Sequence, residues 1–193
     1  MKKILLLLTA ALCLGTPAAF AGSSPVRVTG NATAVSNPDV TSLIRRARIL
    51  LNTQAQYKNA VLLEADGATA SGKPTTKANG VDEWRLVFNN QGTDGSKFKS
   101  AYLFFKNGKF SKITGVTEPF LEDLNLNPLP VMTLGRAVQL LHAAGFKQAF
   151  RFVTLRFPVD PGYKAPVYFF EFAQGGLFVQ VDTKTGKVKK LSS

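Results

Sequence analysis

Cysteine is nearly absent from this chain. Of 193 residues only Cys13 carries a thiol, and it lies in an apolar stretch near the N-terminus. Beyond that stretch neither a disulfide framework nor a cysteine nucleophile is available. Histidine is as scarce, with His142 alone, so a multi-histidine metal centre is excluded and any metal site would have to be carboxylate-rich or use His142 alone with acids. Acids number 12 against 24 basic residues, a formal charge of +12. No apolar run after the first residues reaches membrane-spanning length. A phosphate-cradling glycine loop is also missing, because Gly175-Gly176 joins two strand patterns instead of leading into a helix.

What is present begins with a leader. Lys2 and Lys3 form a positive n-region, Ile4 to Leu14 an apolar core, and Gly15, Thr16 and Pro17 a break. Ala19-Phe20-Ala21 then places small residues where a signal peptidase reads them. Residues 1–21 read as a secretory signal peptide, with Gly22 the expected mature N-terminus; the competing reading is an uncleaved membrane anchor. Bulky Leu12 directly before Cys13 fits lipid attachment poorly, so Cys13 reads as one more apolar leader residue. The chain is expected to be exported, periplasmic or secreted, and soluble. Roughly 170 residues remain, enough to bury a core without disulfides, and 15 phenylalanines supply much of it. Losing Lys2 and Lys3 leaves a charge of about +10, which favours acidic proteins, anionic envelope polymers or lipid head groups as partners. Export argues against nucleic acid.

Residues 22–36 read as a linker. Asn37-Pro38-Asp39 signals a helix start, with Asn37 as the cap, and Val40, Leu43, Ile44, Ala47, Leu50 and Leu51 follow at helical spacing opposite Arg45, Arg46 and Arg48. The period then drops to two. Strands are expected at 61–65, around Trp84, Leu86 and Phe88, at 101–105 and at 110–114, with 66–82 a loop and Asn107-Gly108 a hairpin turn. Residues 116–132, with three prolines, read as a connector. Thr133 caps a second helix that Gly145 ends. Strands at 150–157, 167–172, 177–181 and 187–191 complete the chain.

The two halves repeat each other. Arg46-Ala47 with Leu50-Leu51 returns as Arg136-Ala137 with Leu140-Leu141. Trp84, Leu86 and Phe88 correspond to Tyr168, Phe170 and Phe172, and the segment 108–114 to 186–192. The expected fold is α+β, two repeated units over 37–115 and 133–193, each a helix packed on an antiparallel sheet of about four strands. Leu50 and Leu140 are expected in equivalent buried positions.

The second half resembles the PepSY domain family on two segments: the aromatic strand Tyr168-Phe169-Phe170-Glu171-Phe172, and the turn Val181-Asp182-Thr183-Lys184-Thr185-Gly186-Lys187-Val188. The first half follows through the repeat, but has Phe104 in place of the aspartate and Asn107-Gly108 in place of Thr185-Gly186. The repeat also has a general similarity to secreted β-lactamase inhibitor proteins. The resemblance implies a non-catalytic module that binds another protein outside the cytoplasm.

No catalytic constellation, cofactor site or metal site is expected. His142 reads as a packing residue at the edge of its helix stripe. The acids Asp82, Glu83, Glu118, Glu122 and Asp123 could in principle serve a carboxylate-based hydrolase, but they lie on opposite faces of a strand or in the connector. The candidate binding residues are Lys106, Lys109 and Lys112 around the first hairpin, Lys184 and Lys187 around the second, and the aromatics Tyr163 and Tyr168. The expected function is an exported binding protein, an inhibitor or modulator of a secreted or envelope enzyme. The alternative is a basic binder of anionic envelope polymer or lipid head groups; a hydrolase comes third.

Overall fold

A computed structural model describes residues 39–90, 98–173 and 176–191, all within one compact unit, Ala34–Ser193. The leader 1–21 and linker 22–36 lie outside the described residues. Helix α1 (Val40–Asn52) starts two residues later than its sequence signal suggests, because its cap is Asp39, whose side chain accepts from the Thr41 N–H. Strands β1 (Ala60–Ala68), β2 (Glu83–Asn90), β3 (Ser100–Lys106), β4 (Lys109–Phe110) and β5 (Thr114–Val116) follow. Thr133 caps α2 (Leu134–Ala143), accepting from the Arg136 N–H. The chain then forms β6 (Phe150–Arg156), β7 (Val167–Phe172), β8 (Phe178–Asp182) and β9 (Val188–Leu191).

All nine strands make one antiparallel sheet in the order β4-β3-β2-β1-β6-β7-β8-β9, with β5 also on β3. This corrects the expectation of two repeated helix-on-sheet units. The reason is the pairing of β1 with β6, Glu64 opposite Arg156 through Ala68 opposite Phe152. Each of these strands would be an unpaired edge in a separate unit, and joining them satisfies both rows of backbone groups. The segment 117–131 fills the gap where β1 and β6 diverge: the Leu124 N–H donates to Phe157 O and the Leu126 N–H to Leu62 O.

Cross-strand partners share a face, so the register divides the sheet cleanly. One face carries Leu86, Leu103, Leu155, Tyr168 and Val181 beside Ala65, and these join Leu43, Ile44, Leu51, Ala137 and Leu141 of the two helices in a single core. Leu51 is buried, whereas Leu50 is 40% exposed and Leu140 is half-buried, which corrects their expected placement. Among the described residues no helix is long and apolar enough to cross a membrane.

Candidate functional site

Among the described residues no helix packs on the opposite face of the sheet. Its side chains line up in rows across the strands. One row reads Phe104, Arg85, Asp66, Thr154, Phe169, Gln180 and Lys189 from β3 to β9. Beside it runs Tyr102, Val87, Glu64, Arg156 and Val167. On the other side Glu83, Ala68, Phe152, Glu171 and Phe178 form a third row. Three phenyl groups of this face are open to solvent: Phe104 at 46%, Phe152 at 49% and Phe178 at 39%.

The centre is a charge cluster. Arg85 Nε donates to Asp66 Oδ2 at 2.8 Å and its Nη2 to Glu64 Oε1 at 2.9 Å. Thr154 Oγ1 donates to Asp66 Oδ1 at 2.8 Å. Arg156 Nε reaches Asp123 Oδ1 at 2.7 Å, and its Nη1 lies 4.0 Å from Glu64 Oε2. The two guanidiniums also lie over aromatic rings, Arg85 over Tyr102 at 5.9 Å and Arg156 over Phe169 at 6.0 Å.

Three carboxyls thus meet two arginines, and one carboxyl is in excess. Burial, then the neighbouring Asp66, push the Glu64 carboxyl up to about 8 against the pull of Arg85. Burial likewise raises Asp123, partly offset by Arg156. Asp123 Oδ2 is buried without another hydrogen-bond partner, so it is the natural acceptor for a proton held on Glu64. Burial and the neighbouring carboxylates thus favour a proton on Glu64, and with that proton in place two carboxylates face the two arginines.

The expected site residues are scattered by comparison. Lys106 pairs with Glu83 at 2.6 Å, and Lys109 sits opposite it across the β3–β4 turn. Lys112 is exposed just beyond β4. Lys184 and Lys187 flank the β8–β9 turn, which lies at the opposite end of the strands and about six strand spacings away, or roughly 30 Å. These hairpins do not form one basic surface. Tyr168, expected as an exposed contact, is instead buried in the core, its hydroxyl donating to Met132 O at 3.1 Å and its acidity suppressed by burial. Tyr163 does stand on the uncovered face, against Phe169 and donating to Gln180 Oε1 at 2.8 Å. Burial, then Asp160, raise its hydroxyl's pKa.

Asp82 accepts from the Ala70 N–H, while the Glu118 and Glu122 carbonyls accept from Ser100 and Arg156. Asp123 is the one connector acid brought into the cluster. His142 stands half-buried in the last turn of α2, its Nε2 buried without a hydrogen-bond partner. Among the described residues no group of three or more His, Cys, Asp or Glu could hold a metal ion. The Asp182 turn is structural: Asp182 Oδ1 accepts from the Lys184 and Thr185 N–H groups, and Gly186 has a φ of 72°.

No family model matches the chain, and no curated protein matches its sequence. The PepSY resemblance therefore rests on the two quoted segments alone. The fold is similar to the crystal structure of a protein from Clostridium difficile 630 described as "a putative lipoprotein", with a TM-score of 0.52 and 13% identity over 82% of this chain and 97% of that one.

Proposed function

We propose that this chain is an exported protein that docks another protein on the uncovered face of its sheet, as an inhibitor or modulator of a secreted or envelope enzyme. The observation that carries this reading is the combination of exposed Phe104, Phe152 and Phe178 with a central cluster in which each arginine is paired with a carboxylate. Aromatics and arginines concentrate at protein interfaces. Export is supported by the leader Lys2 to Ala21, and by the envelope location that the name of the C. difficile protein implies for that protein.

The test is capture from the extracellular or periplasmic fraction, followed by binding kinetics at low and high salt. Changing Phe104, Phe152 and Phe178 together to Ser should speed dissociation of the captured protein more than tenfold while the fold survives. Changing Lys109 and Lys187 to Gln should leave dissociation alone and at most slow association. Capture that ignores the three phenylalanines but collapses with salt would sink the proposal.

A further inference from the structure

The two helices carry part of the positive charge with no acid among it, the cations being Arg45, Arg46, Arg48 and Arg136. Neither α1 nor α2 contains an acidic residue. The outer stripe of α1 carries Arg45, Arg46 and Ile49, opposite the buried Val40, Ile44, Ala47 and Leu51. Arg45 makes no hydrogen bond or ion pair with the described residues. Arg46 lies over the rings of Phe105 and Phe110, at 5.7 and 5.4 Å. Arg136 is exposed on α2, bonded only to Gln139 within its own helix. Asp39, just before α1, is engaged as its cap. The sheet face, by contrast, interleaves both signs.

Two apolar side chains stand among these arginines. Ile49 is 66% exposed, one turn beyond Arg45, and Leu50 is 40% exposed, one turn beyond Arg46. Arginine beside exposed aliphatic side chains matches the headgroup region of an anionic bilayer: guanidiniums pair with phosphates while short apolar groups enter the acyl boundary. A soluble polyanion would use the arginines and gain nothing from Ile49. We propose that the helix layer, through Arg45, Arg46, Arg136 and Ile49, is a docking surface for an anionic lipid bilayer. This surface lies across the sheet from the proposed protein-docking face and does not depend on that reading.

The experiment is co-sedimentation of the whole released chain with vesicles of phosphatidylglycerol and phosphatidylcholine, against phosphatidylcholine alone. Binding should require phosphatidylglycerol and weaken with salt. Arg45→Gln and Arg136→Gln should each lower affinity about fivefold, whereas Lys164→Gln and Lys189→Gln, away from the helices, should not. Ile49→Ser should weaken vesicle binding but leave binding to soluble polyphosphate unchanged. Equal losses for helix and non-helix cations, or indifference to phosphatidylglycerol, would overturn the proposal. Tighter binding to polyphosphate than to vesicles, unaffected by Ile49→Ser, would replace the bilayer with a soluble polymer.

Discussion

Glu64 sets the pH behaviour of the fold. Its carboxyl keeps its proton to about pH 8 in the native cluster, against an ordinary value of 4.5. Between these values the folded chain binds one more proton than the unfolded chain, so this group's contribution makes stability fall as pH rises through the window and level off above it. Glu64→Gln, which keeps a neutral acceptor for Arg85, should flatten that slope. Thermal melts from pH 5 to pH 9 should show the variant gaining on the wild type as pH rises; a constant difference would mean that Glu64 is ionised throughout. Tyr168→Phe should cost about 1 kcal/mol through the lost bond to Met132 O, with no effect on binding. None of this cluster was legible residue by residue. Glu64 and Asp66 alternate with core residues as any strand acids do, and Gly67 made the segment look like the start of a loop.

At the scale of elements the sequence was a better guide. α2 begins at its Thr133 cap, and β7 occupies 167–172 as the alternation of Tyr168, Phe170 and Phe172 implies. Where helical periodicity misled, the cause was two adjacent leucines of which only one can face the sheet. Leu51→Ala should therefore cost about 2–5 kcal/mol in denaturant melts, and Leu50→Ala under about 1 kcal/mol. β1 outran its apolar stretch because Trp84 substitutes for a side chain at Gly67: a Cβ there would lie 2.6 Å from Val81 Cγ1 and 2.8 Å from Trp84 Cη2. Gly67→Ala should destabilise by about 1–3 kcal/mol from overpacking, measurable in the same melts.

For the whole molecule, the repeated pattern of the two halves described hairpins and helices but not how they join. Nothing local in β1 or β6 says that its free edge is to be filled by the other. That pairing brings together residues 88 positions apart, as in the bond from Thr154 Oγ1 to Asp66 Oδ1, and with it the cluster that only this register assembles. The central pairing also imposes an order on events. A chain emerging N-terminus first completes β2 and β3 beside β1 long before β6 arrives, and for that interval β1 offers a bare edge to any passing strand. The nascent protein is thus most vulnerable to self-association when about two-thirds made, and its folding must wait for the C-terminal third. A chain ended at residue 132 should accordingly form soluble aggregates on gel filtration instead of a stable half, and adding residues 133–193 as a separate peptide should restore the elution of the whole chain; a folded, monomeric fragment would show that the first half closes its own edge.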